Sequence, residues 1–322
     1  MSFVDIRHLT RVFDVSKPWL NRVIERLPKA RLTAVSDVSL QIEERSVYAL
    51  VGESGSGKST IGKMLVGLLP PSDGQIEVDG VDLATETDAE TRDRMRAEIQ
   101  MIFQDPYASL NPRWKVRDII AEPVAARGSE TRGLAERLLE QVGLSALDAD
   151  KFPHQFSGGQ RQRICVARAL ASEPKLIVCD EPTSALDVSV QAQVLNLMSD
   201  LKDEFGLTYL FISHDLTVVR HMADRIGVLY LGQLVEEADS DTLFEDPKHP
   251  YTQMLLAAAP KLDSFGREEE PPTGEIPDPI NPPPGCVFNP RCPLATDLCR
   301  VERPDMRQAG GTRVACHMVP PG

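Results

Sequence analysis

Two patterns of apolar residues take turns along the chain, one typical of strands and one typical of helices. Short apolar or alternating runs, typical of strands, occur at 3–6, 34–42, 47–51, 75–78, 100–103, 176–179, 208–213 and 225–230. Helical periodicity follows at 61–69 and 88–98 and through most of 105–169, where we expect interruptions at Pro112, Pro123 and Pro153. Strands that alternate with helices predict an α/β fold with a largely parallel sheet.

Residues 17–31 form an insertion between the first two predicted strands. Its apolar residues recur at helical spacing and alternate with basic ones. The apolar residues are Trp19, Leu20, Val23, Ile24 and Leu27, and the basic ones are Lys17, Arg22, Arg26, Lys29 and Arg31. One interpretation is a helix packed on the sheet with a solvated basic face. The alternative is contact with acidic lipid or with a membrane partner.

The composition changes near residue 260. Residues 268–284 are rich in Glu and Pro, which predicts an extended linker rather than a helix or a central strand. Four of the six cysteines then lie between positions 286 and 316. We therefore expect one domain over 1–260, with a helical subdomain at about 105–170, and a proline-rich linker with a Cys-containing extension over 261–322.

Charge and hydropathy narrow the class of protein. The net charge of −13 argues against a nucleic-acid partner, because general nucleic-acid binders carry a basic face. The sequence contains no run of about 18 apolar residues, so it predicts no membrane-spanning helix. The N-terminal residues become polar by position 5 and resemble no secretory signal, so we expect a cytosolic chain with reduced thiols.

The segment 52–59, Gly-Glu-Ser-Gly-Ser-Gly-Lys-Ser, fits the phosphate-binding P-loop pattern. It lies between a predicted buried strand and a predicted helix, as that loop requires. The glycines let backbone N–H groups point at one phosphate chain, and the helix N-terminus favours anions. Lys58 supplies a charge for the β- and γ-phosphates, and Ser59 offers a hydroxyl to Mg²⁺.

A second motif, made of two acidic residues, directly follows the predicted strand at 176–179. Asp180 at the strand tip can hold Mg²⁺, and Glu181 lies one residue nearer the γ-phosphate, where a carboxylate can orient or deprotonate the attacking water. Residues 157–160, Ser-Gly-Gly-Gln, begin another predicted helix and offer a second phosphate site. One nucleotide has little use for two such sites in one molecule, so we expect the second site to serve a partner subunit's nucleotide.

The order of these motifs resembles that of ABC ATPases. Gln104 follows a strand after the P-loop, then come 157–160, 180–181, Ser-Ala-Leu-Asp at 184–187 and Ile-Ser-His-Asp at 212–215. The resemblance covers about residues 1–260 and departs from the common pattern at Phe156, where Leu is usual. It implies a P-loop ABC nucleotide-binding domain, with a mixed sheet core and antiparallel β and helical subdomains.

The resemblance also implies roles for individual residues. ATP would lie between the Walker motifs of one subunit and the 157–160 segment of the other. Gln104 would link the site to the helical subdomain, and Phe13 resembles the aromatic residue that stacks on adenine, although a core phenylalanine is almost as good an interpretation. The expected catalytic residues are Glu181, His214 and Gln104. ATP and Mg²⁺ would contact Phe13, Gly52, Ser54, Gly55, Ser56, Gly57, Lys58, Ser59, Thr60, Gln104 and Asp180, with Ser59 and Gln104 on the metal, and in trans Ser157, Gly158, Gly159, Gln160 and Asp187.

Three further segments resemble the ATP-binding subunits of oligopeptide/dipeptide importers: residues 103–112, His-Pro-Tyr-Thr at 249–252, and the tail at 285–293. The insertion resembles that of the F-type subunit of such pairs. The resemblance implies an ATPase that powers peptide or similar solute import, with a second ATPase subunit, two permeases and, indirectly, a solute-binding protein. It would lie on the cytoplasmic face of the bacterial inner membrane. The alternative is a soluble ABC ATPase without a transport role.

Cys286, Cys292, Cys299 and Cys316 are separated by five, six and sixteen residues. Four thiolates can ligate a metal, and gaps wider than those of zinc sites suit a [4Fe–4S] cluster. Members of the importer family with a similar tail carry such a cluster, so the resemblance implies one here. Zinc, disulfides and free thiols remain alternatives, and His317 is a possible substitute ligand. Cys165 and Cys179 lie in apolar runs and are expected in the core.

Overall fold

The computed structural model of the chain describes residues 2–19, 21–22, 28–258 and 275–320. Within them the strands are β1 (Ser2–Asp14), β2 (Arg31–Glu43), β3 (Val47–Val51), β4 (Asp73–Val78), β5 (Val81–Asp82), β6 (Ile99–Ile102), β7 (Leu176–Asp180), β8 (Thr208–Ile212), β9 (Arg225–Tyr230), β10 (Gln233–Asp239), β11 (Arg307–Ala309) and β12 (Thr312–Val314). The helices are α1 (Lys58–Leu65), α2 (Ala89–Glu98), α3 (Pro106–Ser109), α4 (Val116–Ala125), α5 (Leu134–Gln141), α6 (Gly158–Leu170), α7 (Val188–Phe205), α8 (Leu216–Met222), α9 (Ser240–Glu245), α10 (Pro250–Ala257) and α11 (Asp297–Val301). Every predicted strand is present.

The strands form two sheets. A four-stranded antiparallel sheet has the order β2-β1-β4-β5, and an eight-stranded mixed sheet has the order β11-β12-β10-β9-β3-β8-β7-β6. One apolar cluster joins them, since residues of β1 such as Ile6 share it with Ile61 of α1 and Leu210 of β8. Helix α1 therefore contributes to the core that unites the two sheets, which fixes the loop before it.

Strands β9, β3, β8, β7 and β6 run parallel to one another. The carboxyl ends of parallel strands meet at one edge of a sheet, which is where α/β proteins bind ligands. β3 ends at the glycine loop, β7 at Asp180, β8 just before Ser213 and β6 just before Phe103. The parallel core predicted from the sequence thus brings four of the proposed motifs to one edge.

Residues 105–170 form the predicted helical region, built from α3, α4, α5 and α6 with two short 3₁₀ turns between α5 and α6. Its apolar faces pack in one cluster with Ile120 and Ile164 fully buried. The expected interruption at Pro123 is wrong, because this proline lies inside α4. The helix ends two residues later, and the proline removes the N–H that would bond to the carbonyl oxygen of Ile119, one turn earlier.

Residues 20 and 23–27 of the predicted insertion helix lie outside the described residues, and so do residues 268–274 of the predicted linker. The flanking Trp19 is 72% exposed. Within the tail, Glu236 of β10 pairs with Val314 of β12, so the tail's two strands extend the main sheet. Among the described helices, none is long and apolar enough to cross a membrane.

Candidate active site

The P-loop requires its glycines for space. Gly52 and Gly57 have φ angles of 147° and 103°, in the region that residues with a side chain rarely adopt. A Cβ atom on Gly52 would lie 2.1 Å from the carbonyl oxygen of Leu229, and one on Gly57 would lie 2.3 Å from that of Ala34. No side chain caps α1 at Gly57, so the start of this helix is left for an anionic ligand.

Lys58, the first residue of α1, turns its ammonium group back into the loop. Its Nζ donates to the carbonyl oxygens of Gly52 at 2.7 Å and Glu53 at 2.8 Å, and to Oγ of Ser56 at 3.2 Å. Burial lowers the pKa of Lys58, although the nearby carboxylates of Glu181, Asp180 and Glu53 oppose that shift. The loop therefore contains a largely buried cation before any phosphate binds.

Ser59 and Asp180 form the pair expected for Mg²⁺. The Ser59 hydroxyl donates to Oδ1 of Asp180 at 2.7 Å, which joins the start of α1 to the tip of β7. Burial raises the pKa of Asp180, an effect that the hydrogen bond from Ser59 opposes. A hydroxyl and a buried carboxylate are oxygen ligands of the type that Mg²⁺ prefers, so these residues fit the ion.

Glu181 is held by two of the predicted catalytic residues. Its Oε2 accepts a hydrogen bond from Nε2 of Gln104 at 2.8 Å, and its Oε1 lies 3.0 Å from Nδ1 of His214. Its backbone N–H donates to the carbonyl oxygen of Ile212, at the end of the adjacent strand. Glu181 also has a φ of 48°, a left-handed conformation that is strained for a non-glycine residue and common at active sites.

Most of these groups line one cleft of about 550 Å³. Its walls are Phe13, Leu32, Ala34, Ser54, Gly55, Gly57, Lys58, Ser59, Thr60, Gln104, Glu181 and His214. One face of the Phe13 ring is covered by the Arg11 guanidinium, 4.6 Å from the ring centroid. The sequence did not indicate Leu32 and Ala34, since nothing distinguishes them from other apolar residues of a strand.

The 157–160 segment and Asp187 are not among the residues that line this cleft. Ser157 caps α6 by accepting a hydrogen bond from the N–H of Gln160, whose side chain bonds back to the N–H of Ser157. Gly159 is needed for packing, because a Cβ there would lie 2.3 Å from Val190. Asp187 stands at the start of α7 with no side-chain capping bond. The glycines of this segment therefore begin a rigid, well-capped helix.

All six cysteines are free, and Cys165 and Cys179 are buried in the core as predicted. In the tail, the N–H of Cys286 donates to the carbonyl oxygen of Cys299 at 2.8 Å. Burial raises the pKa of Cys286 to about 11, and the other three tail thiols add to that shift. Within the described residues, however, no group of three or more His, Cys, Asp or Glu is placed to hold a metal ion. The predicted metal site is not confirmed.

Comparisons with known proteins agree with this geometry. The family described as "ABC transporter" matches residues 35–184, and the family described as "Oligopeptide/dipeptide transporter, C-terminal region" matches residues 235–299. Among solved structures, the ATP-binding cassette MJ0796 in a post-hydrolysis state with ADP and Pi superposes with a TM-score of 0.63 at 28% identity. That match covers 74% of this chain and 98% of the cassette.

Two relatives are similar along nearly the whole chain. The oligopeptide transport ATP-binding protein AppF of Bacillus subtilis is 45% identical over 98% of this chain and 97% of its own length. The dipeptide transport ATP-binding protein DppF of Escherichia coli is 47% identical over 97% and 94%. The chain therefore belongs to the family of ABC transporter ATP-binding proteins that these relatives represent, and the predicted family is confirmed.

Proposed function

We propose that this chain is the ATP-hydrolysing subunit of an importer of peptides or similar small solutes. The observation that carries the ATPase activity is the Glu181 carboxylate, held by Gln104 and His214 beside the Lys58 and Ser59 end of the P-loop. The peptide class rests on relatives whose names describe oligopeptide and dipeptide transport.

In this function the residues of the cleft divide the work. The P-loop glycines and Lys58 bind the phosphates, and Phe13 lies against the adenine. Ser59, Gln104 and Asp180 hold Mg²⁺, which supplies charge neutralisation at the phosphates. Glu181 accepts a proton from the attacking water, and the contacts from Gln104 and His214 keep its carboxylate oriented.

The 157–160 segment and Asp187 act on the nucleotide of a second ATPase subunit. Their separation from the P-loop cleft within one chain supports this division. The partner is a different ATPase chain of the same type, so two composite sites form when the subunits close head to tail. A relevant solved structure is described as a dimeric bacterial ABC transporter cassette.

The assembly binds two permease subunits, and through them a solute-binding protein, at the cytoplasmic face of the inner membrane. The chain associates there peripherally, and residues 1–260 form the nucleotide-binding domain with residues 261–322 as its extension.

Uptake of radiolabelled di-, tri- and longer peptides tests this function in cells whose only peptide importer contains this subunit. Lys58→Ala should abolish uptake while amino-acid uptake by other carriers stays normal. Unchanged peptide uptake would instead favour the soluble ABC ATPase without a transport role.

We further infer that Cys286, Cys292, Cys299 and Cys316 hold a structural [4Fe–4S] cluster. Each of these thiols lies within electrostatic range of the other three, which supports a shared site.

Anaerobic purification followed by iron, sulfide and zinc analysis tests the cluster. Iron and sulfide should disappear in Cys292→Ser, whereas Cys165→Ala, a core substitution outside the tail, should retain them. One equivalent of zinc without iron or sulfide would replace the cluster with a zinc site, and the absence of all three would leave free thiols.

A further inference from the structure

The tail touches the P-loop directly. Arg291, the residue before Cys292, forms a two-pronged ion pair with Glu53, the second residue of the loop. The guanidinium Nη1 and Nη2 atoms lie 2.7 and 3.0 Å from the two carboxylate oxygens. The Arg291 side chain is only 3% exposed and that of Glu53 is 20% exposed. This is a largely buried charge pair between a nucleotide-binding loop and a segment 238 positions away.

Both partners are held firmly. The backbone N–H of Glu53 donates to the Tyr251 hydroxyl at 2.9 Å, and its carbonyl oxygen accepts from Nζ of Lys58 at 2.8 Å. Arg291 donates to the Tyr230 hydroxyl at 3.3 Å, and its guanidinium lies 5.9 Å from the centroid of the Phe288 ring. The aromatic residues thus fix the arginine, and the arginine fixes the acidic side chain of the loop.

An acidic residue in an anion-binding loop has an electrostatic consequence. The carboxylate of Glu53 belongs to the same loop as the N–H groups and Lys58 that meet the phosphates, and two like charges repel strongly where water is partly excluded. A bidentate guanidinium neutralises that carboxylate and prevents it from turning towards the cleft.

We propose that Arg291 is a positioning residue for nucleotide binding: by neutralising and orienting Glu53, it makes the nucleotide affinity of the P-loop depend on the docked tail. This inference rests on the proposed function of the cleft in binding ATP. It gives the tail a role in the nucleotide site in addition to its own folding.

A purely structural role for Arg291 makes a different prediction, and the chain offers a matched control. Arg313 of β12 also joins the tail to the main domain, through an ion pair with Glu237. Arg313 is not among the residues of the nucleotide cleft. If tail anchoring alone matters, loss of either arginine should affect nucleotide binding similarly. If charge compensation matters, only loss of Arg291 should do so.

Equilibrium titration of a fluorescent ATP analogue into the purified full chain with Mg²⁺ tests the proposal, and thermal melting checks folding. Arg291→Met should weaken binding about tenfold, equivalent to about 1.4 kcal/mol, whereas Arg313→Met should bind as the parent does. The double variant Glu53→Gln/Arg291→Met should regain most of the lost affinity, because no carboxylate is left to neutralise. In the assembled transporter, Arg291→Met should raise the KM for ATP with little change in kcat.

Parental affinity in Arg291→Met would overturn the proposal, and so would a double variant that binds as weakly as Arg291→Met. If Arg291→Met does not fold, Glu53→Gln and Arg291→Lys decide: Glu53→Gln should bind more tightly than Arg291→Lys, and the reverse order would overturn the proposal. Failure of the proposed ATP-binding function would look different, because the parent and Lys58→Ala would then bind the analogue equally weakly.

Discussion

Replacing Glu181 with Gln should remove the chemical step while leaving nucleotide binding intact. An amide has nearly the shape of the carboxylate, and its oxygen can still accept the hydrogen bond that Gln104 donates over 2.8 Å. Its NH₂ group can face Nδ1 of His214, now 3.0 Å from the carboxylate. The substitution therefore retains both neighbours and removes only the charge and the basic oxygen. Loss of a general base costs about 10²- to 10⁴-fold in rate, or about 2.7–5.4 kcal/mol of transition-state stabilisation.

ATP turnover by the reconstituted transporter, measured as phosphate release, is the assay, together with nucleotide affinity by equilibrium titration. Glu173→Gln is the matched control, since Glu173 also has a left-handed backbone, with a φ of 53°, and is not among the cleft residues. We expect turnover to fall by at least 10²-fold in Glu181→Gln with parental affinity for ATP, and neither quantity to change in the control. Parental turnover in Glu181→Gln would refute the role of this carboxylate.

Three further predictions concern stability. Gly57→Ala should lower the free energy of unfolding by about 2 kcal/mol or more, because the new methyl group would lie 2.3 Å from a carbonyl oxygen. Gly55→Ala, which has open space around its Cβ position, should lose clearly less stability in chemical denaturation. Equal losses would contradict the packing argument. Glu237→Gln should lower the free energy of unfolding by about 3 kcal/mol, the low end for breaking a buried ion pair. The low end applies because the carboxylate is 1% exposed whereas its two arginine partners are about one-third exposed. An unchanged melting temperature would count against this prediction. Burial lowers the pKa of His249 to about 3, below its unfolded value of 6.5, so the unfolded chain binds the extra proton and stability should fall as the pH drops from 6.5 towards 3. His249→Asn should flatten that part of the stability–pH curve, and an equally steep decline would exclude this histidine as its cause.

The nucleotide site is largely readable from the sequence because its motifs are local. A P-loop is a short pattern between a strand and a helix, and Asp180 with Glu181 directly ends an apolar strand. A parallel sheet then brings such strand ends to one edge whatever lies between them in the chain. For this reason the contacts of Glu181 with Gln104 and His214, distant in sequence, agree with residues chosen from motifs alone.

Other features depended on packing between segments that carry no local signal. Leu32 and Ala34 line the cleft only because the antiparallel sheet lies over the P-loop. Pro123 lies inside α4, two residues before its end, and apolar periodicity does not reveal that the helix continues past this proline.

By itself, the sequence determined the α/β class, the nucleotide motifs and the family, since each depends on residues that are neighbours in the chain or on the order of short motifs. Only the tertiary structure decided how the tail meets the rest of the molecule. It joined β12 to β10 and brought Arg291 to Glu53 across 238 positions. An ion pair of this kind has no periodicity and no fixed spacing, because it forms only after the sheet, the aromatic residues around Phe288 and the P-loop have packed together.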